Sequence, residues 1–205
     1  EFLSIGGGLG IMYESALASG DSKWWNRVEA RDILTPAKYA STLVPLLKPL
    51  GLKILIEPGR FISGNAGILV TRVEHVKNTG KKYFAIVDAA MNDLIRPAFY
   101  ESYHEIIPVK QSKARTVKTD VVGPICETGD TFGKDRDLPD DLKAGDLVAV
   151  MSAGAYGAVM SSTYNTRALT PEVLVKGNNF AIVRPRQEID DLINMDQVPS
   201  WLSNA

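Results

Sequence analysis

Cysteine is almost missing from this sequence: Cys126 is the only one in 205 residues. A lone thiol cannot close an internal disulfide, which suits a reducing compartment. Histidine is scarce too. His75 and His104 lie far apart with no Cys–His ligand spacing around them, so no metal site is expected. No nucleophile-elbow motif supports serine–histidine catalysis. Net charge is close to zero, −1 at pH 7, which removes any electrostatic reason to expect nucleic acid or an anionic membrane surface. The apolar runs are too short to cross a bilayer. No basic-then-apolar leader opens the chain, so the expected location is the cytoplasm. A starting methionine is missing as well, and the chain begins directly in Phe2-Leu3-Ser4-Ile5. A piece of a longer protein is therefore expected.

What is present is an ordinary globular composition, 45% hydrophobic and 23% charged, enough for one large domain or two small ones. Its most informative stretch is Ile54-Leu55-Ile56 running into Glu57-Pro58-Gly59-Arg60. Three branched apolar residues make a buried strand, and Pro58 and Gly59 end it abruptly. An acid and a base thus flank a sharp turn at a strand's carboxyl end, where α/β folds place their chemistry. An ordinary strand-to-loop turn with two surface charges has the same local signature.

Ahead of this stretch, residues 2–5 read as a short strand and Gly6-Gly7-Gly8-Leu9-Gly10 as a glycine-rich turn. Ile11, Tyr13, Ala16 and Leu17 then share one face of a short helix. Such a turn frees backbone N–H groups for a phosphate. The Rossmann fingerprint fails, because Ile11 occupies its third glycine position, and no Walker lysine follows. Thr35 and Pro36 start a helix with Tyr39, Leu43, Leu46, Leu47 and Leu50 on its apolar face, and Gly51 ends it. The order is a βαβ unit with parallel strands.

After Phe61 the pattern changes to strands without long helices. Candidates cover 66–76, 83–87, 105–109, 116–122, 147–151, 173–175 and 180–183, with a short helix at 188–195. In the first of these the alternation runs through Ile68, Val70, Val73 and Val76. This half reads as a mostly antiparallel β domain.

Several clusters in it can carry chemistry. Arg96 precedes the helix-starting Pro97, and Tyr100 lies four residues on, near the same face if the turn is helical. Read locally, the pair is more simply a surface arginine beside a core tyrosine. Gly123-Pro124-Ile125-Cys126-Glu127-Thr128-Gly129-Asp130 puts the only thiol in a loop between acids. A buried inert thiol is the commoner use of a lone cysteine, and a loop position favours reactivity. Ser152-Ala153-Gly154-Ala155-Tyr156-Gly157 is either tight packing or a loop presenting one tyrosine.

Gly6-Gly7-Gly8, Glu57-Pro58-Gly59-Arg60, Arg96-Pro97-Ala98-Phe99-Tyr100, Cys126-Glu127-Thr128-Gly129-Asp130 and Ala153-Gly154-Ala155-Tyr156-Gly157 occur in this order. The set resembles the diaminopimelate decarboxylase family, of the fold-type III pyridoxal-phosphate group that includes ornithine decarboxylase and alanine racemase. The resemblance implies the last strands of an alanine-racemase-like (β/α)₈ barrel over 1–62, followed over 63–205 by the β domain with its short terminal helix. It implies pyridoxal 5'-phosphate as cofactor, with Gly6, Gly7, Gly8 and Arg60 at the phosphate and Glu57, of the turn with Pro58 and Gly59, at the pyridinium nitrogen. Tyr156 is implied at cofactor and substrate. The implied reaction is decarboxylation of meso-2,6-diaminopimelate to L-lysine. Arg60, Arg96, Tyr100, Glu127 and Tyr156 are then substrate-binding residues, and Cys126 is the proton donor. A homodimer is implied, its active site at the subunit interface.

The family's cofactor-bonding lysine and ring-stacking histidine lie upstream, so no residue here is assigned to either and the piece alone is expected to be inactive. Within the same fold the alternative is a decarboxylase for ornithine, arginine or carboxynorspermidine. Arg96 and the Cys126-Glu127 pair argue against ornithine, whose enzyme resembles Cys-Asp at this loop. A catalytically dead binding partner is the alternative of another class, opposed by the presence of Glu57, Arg60, Arg96 and Cys126 together.

Overall fold

The structure, a computed structural model, describes residues 1–20, 23, 26 and 33–202. Strand β1 (Phe2–Ser4) pairs in parallel with β2 (Lys53–Leu55), Leu3 lying opposite Ile54. Between them runs helix α1 (Pro36–Leu47). Thr35 is extended and its Oγ1 accepts from the Lys38 N–H at 3.2 Å, so the cap read from the sequence forms. The helix stops three residues before Leu50. Lys48–Leu50 is a 3₁₀ turn, since Pro49 has no N–H to continue the α ladder, and Gly51 closes it at φ 65°. Tyr39, Leu43 and Leu47 are half-buried, while Leu46 and Leu50 face outward.

Beyond β2 the chain forms the short helix α2 (Gly59–Ser63) and then the long strand β3 (Leu69–Asn78). Next come β4 (Tyr83–Val87), helix α3 (Arg96–Tyr100), β5 (Ile106–Pro108), β6 (Thr116–Val122), β7 (Thr131–Pro139) and β8 (Leu147–Val150). These strands make one sheet in the order β5-β8-β3-β4-β6-β7. All its pairs are antiparallel except β4 with β6. The two edge strands β7 and β5 also touch, so the sheet curls nearly closed. Inside lie Val73, Val87, Val121, Phe132, Leu138, Val148 and Val150, one apolar face turned inward. A hairpin of β9 (Glu172–Lys176) and β10 (Asn179–Arg184) follows, with its apolar side chains exposed. Helix α4 (Ile189–Ile193) is held by a reciprocal cap between Glu188 and Asp191.

Four features depart from the sequence reading. No helix carries Ile11, Tyr13, Ala16 and Leu17 on one face: the chain is irregular up to a 3₁₀ turn at Ala16–Gly20, and Leu17 is exposed. The strand read at Ile54–Ile56 ends at Leu55 and is not buried, Ile54 and Leu55 being half-buried and Ile56 exposed. Strand β7 was not expected, because Lys134, Asp135, Arg136 and Asp137 interrupt its apolar residues. Only Phe132 and Leu138 among its large side chains are deeply buried. In β3 a bulge between Val73 and His75 changes the phase of the alternation. Thr71 and Val73 point inward, whereas Ile68 and Val70, members of the same expected alternation, are 51% and 49% exposed.

Candidate active site

The loops after β1 and β2 are laced together. The Ser4 hydroxyl donates to Glu57 Oε1 at 2.6 Å and accepts from the Gly6 N–H at 3.3 Å. The Glu57 N–H donates to the Gly6 carbonyl at 2.8 Å. A Cβ on Gly7 would stand 2.5 Å from the Glu57 carbonyl oxygen, so only glycine lets the two backbones approach. Gly6 and Gly8 have φ of 71° and 95°, and nothing fills the space where their side chains would be. Among the described residues the N–H groups of Gly7 and Gly8 have no protein acceptor. The result is an open glycine cradle beside an exposed carboxylate with one oxygen fixed by Ser4. That donor set fits a phosphate at the cradle and a cationic ring nitrogen at Glu57.

Helix α2 carries Arg60 from this turn toward Tyr156. Its guanidinium carbon lies 5.8 Å from the centre of the Tyr156 ring, within cation–π range. The segment holding Tyr156 is packed backbone to backbone. Ala153 N–H donates to Gly67 and Gly154 N–H to Gly64, at 2.8 and 3.1 Å. A Cβ on Gly154 would meet the Ser63 carbonyl oxygen at 2.0 Å. Tyr156 itself has φ 58°, a conformation costly for a bulky residue and one that persists only where its surroundings impose it. The small-residue stretch therefore serves both of its readings: its glycines pack, and its tyrosine is presented beside Arg60.

Arg96 occupies a second cluster and is only 5% exposed. Helix α3 ends at Glu101, whose φ of 52° turns the chain back so that Ser102 and His104 fold over the guanidinium. Nη1 donates to Tyr13 Oη at 2.8 Å and contacts His104 Nε2 at 3.2 Å, while Nη2 donates to Ser102 Oγ at 3.2 Å. The Tyr13 ring centre lies 5.4 Å from the guanidinium carbon. Every one of these partners is neutral, and among the described residues no carboxylate pairs with Arg96. Among the described residues Nε–H and one Nη2–H have no acceptor. Nε is not sealed in either, since among the described residues the fully buried side-chain nitrogens and oxygens lacking a partner belong to Arg136 and Arg184. Burying a guanidinium without a counter-charge is costly. A carboxylate on the free edge of the fork would offset that cost. Burial holds the His104 imidazole down at about 4, against the pull of the Met151 carbonyl, with the Arg96 and Arg136 guanidiniums pushing the same way as burial. Tyr100, expected near the same face as Arg96, points away and is exposed, edge-on to Phe99.

Cys126 and Glu127 are exposed at the tip of a pinned loop. The buried Asp130 carboxylate accepts from Met91 N–H at 2.7 Å and Ile125 N–H at 2.8 Å. Burial raises the affinity of Asp130 for a proton, and these two N–H groups oppose the shift. Gly123 passes so close that a Cβ there would overlap the carboxylate. Arg167 fixes the segment before α3, through Asn92 Oδ1, the Asp88 carbonyl and Asp93.

Gly6, Gly7, Gly8, Glu57, Pro58, Gly59, Arg60 and Tyr156 are thus brought together, and Arg96 sits in its own cage. No hydrogen bond or ion pair among the described residues joins Cys126, Glu127 or Tyr100 to either cluster. Tyr13, Ser102, His104 and Arg167 had no place in the sequence reading of the site. Ser102 and His104 follow Arg96 closely enough to have been suspected. Tyr13 is 83 residues away from Arg96 and carried no such signal.

Residues 12–154 match the family described as pyridoxal-dependent decarboxylase, C-terminal sheet domain. The chain is 46% identical over 197 residues to the diaminopimelate decarboxylase of Vibrio cholerae, covering 96% of this chain and 43% of that protein. It is similar to the crystal structure of diaminopimelate decarboxylase from Helicobacter pylori complexed with L-lysine, with TM-score 0.81 and 36% identity over 95% of this chain and 44% of the other. The diaminopimelate decarboxylase from M. jannaschii in co-complex with L-lysine superposes with TM-score 0.84 and 35% identity, over 98% and 44%. The chain spans less than half the length of these relatives. The glycine cradle, the Glu57 turn and the curled sheet agree with that match over most of the chain: it belongs to the pyridoxal-dependent decarboxylase family and carries that family's C-terminal sheet domain.

Proposed function

We propose that this chain is the C-terminal part of a cytoplasmic pyridoxal-phosphate-dependent decarboxylase that converts meso-2,6-diaminopimelate to L-lysine. Residues 1–62 would complete a barrel and 63–205 form the β domain. One observation carries the choice of substrate: the buried Arg96 guanidinium has only neutral partners and keeps a two-donor edge free. A substrate with a second carboxylate fills that edge, and ornithine or arginine does not.

Gly7 and Gly8 would hold the cofactor phosphate through their backbone N–H groups, with Gly6, whose own N–H is taken by Ser4, shaping the cradle, Arg60 adding charge and Tyr156 a hydroxyl. Glu57, oriented by Ser4, would accept a hydrogen bond from the ring nitrogen. When bound, the cofactor supplies a sink for the electron pair left behind as carbon dioxide departs. Arg60 and Tyr156 would also line the substrate pocket with Tyr100. Arg96 would fix the distal carboxylate, and Glu127 the distal ammonium. Cys126 would deliver its thiol proton to the carbon that lost the carboxylate. Its exposed, pinned loop, separate from the cradle, supports a homodimer in which Cys126 and Glu127 serve the partner's site.

The test is carbon dioxide release by the full-length, cofactor-loaded protein from meso-diaminopimelate, ornithine, arginine and carboxynorspermidine. Release from diaminopimelate with L-lysine as product is expected. Faster release from any of the other three would overturn the substrate assignment.

A further inference from the structure

We infer that His104 is a positioning residue, which fixes the Arg96 guanidinium so that its free edge meets a carboxylate. The inference rests on the substrate reading above and names a residue that reading did not require.

The ring is fully buried and both of its nitrogens are engaged. Nδ1 lies 2.8 Å from the Met151 carbonyl oxygen, and Nε2 lies 3.2 Å from Arg96 Nη1. A carbonyl can only accept and a guanidinium can only donate. Nδ1 therefore carries the proton, and Nε2 offers its lone pair to Arg96. The backbone of β8's end thus sets the tautomer, and the tautomer sets the arginine. Protonation would put an N–H against the guanidinium and abolish the contact. The groups around the ring agree with a neutral state: Arg96 from α3, Arg136 from β7, and Tyr13, whose ring stands edge-on at 5.5 Å and 84°. Tyr13 and His104 together use both Nη1 hydrogens, and Ser102 uses one on Nη2. What is left for a ligand is the Nε–H and one Nη2–H, two donors that a carboxylate can take up.

A histidine holding the fork in place should act on affinity for the distal carboxylate and leave turnover alone. In the full-length enzyme, His104→Phe keeps the ring volume and removes the acceptor. It should raise KM for diaminopimelate about 10-fold or more at nearly constant kcat. KM for an analogue lacking the distal carboxylate should stay within about twofold. His104→Gln, which restores an acceptor for Arg96, should recover much of the loss. Equal rises in KM for both compounds would overturn the inference, as would failure of glutamine to improve on phenylalanine. Should these variants fold poorly, the ¹⁵N shifts of the wild-type ring at pH 7 decide: a protonated Nδ1 with a bare Nε2 is expected, and a protonated Nε2 overturns it. Arg96→Ala separates the two readings. Equal losses for both compounds in that variant remove the substrate reading and this inference with it. A selective loss there, with none in His104→Phe, removes this inference alone.

Discussion

At the scale of single residues, His104 gives the clearest pH dependence. Its folded proton affinity is depressed from 6.5 to about 4, chiefly by burial. Between those values the unfolded chain binds a proton that the folded one refuses. The His104 contribution to stability is therefore complete above pH 6.5 and lost as pH falls toward 4, by about 3 kcal/mol in all. Denaturant midpoints across that window should fall less steeply in His104→Phe than in the wild type. Identical slopes would mean that the ring is not held neutral. Cys126 is tested by turnover. Its replacement by alanine should lower kcat by about 10²–10⁴-fold with little change in KM, the usual worth of a placed proton donor. A kcat within a few-fold of wild type would return it to the role of an ordinary surface thiol. Single residues were also where the sequence was most informative. Glu57, Arg60 and Arg96 stand in short motifs whose spacing survives in the fold. Tyr13 was invisible as a partner of Arg96 because the contact depends on how the glycine turn packs against α3.

Elements were legible where one local rule governs them. Thr35 and Pro36 start α1 because capping is a property of a few adjacent residues. The charged stretch of β7 was missed because its pairing with β6, through a shifted register, supplies what alternation does not. The parallel contact between β4 and β6 follows from α3 and β5 lying between them in the chain, a tertiary choice without local signature. The join between the Tyr156 segment and α2 rests on glycine backbones in contact. Gly154→Ala should cost about 1–3 kcal/mol of stability, because its methyl group meets the Ser63 carbonyl and one backbone must move. In the proposed site it should also weaken retention of the cofactor, since Tyr156 and Arg60 would shift together. An alanine variant with unchanged denaturation midpoint and cofactor affinity would show that this join has slack.

For the whole molecule, the family match and the curled sheet account for a chain that spans less than half of its relatives. Among the described residues no hydrogen bond or ion pair joins the Cys126 loop to the Glu57 cradle, as the proposed two-subunit site leads one to expect. Mixing a Cys126→Ala variant with an Arg60→Ala variant, each inactive, should restore about a quarter of wild-type activity if subunits exchange at random. No recovery after exchange would place both residues in one subunit's site. Selection of a substrate with a second carboxylate by the buried, neutrally caged Arg96 is the core of the proposed function. Its most direct test is kcat/KM for diaminopimelate relative to an analogue lacking the distal carboxylate, measured in wild type and in Arg96→Ala. The ratio should fall by about 10- to 100-fold in the variant, the equivalent of about 1.5–3 kcal/mol for a charge-assisted contact. An unchanged ratio would contradict it.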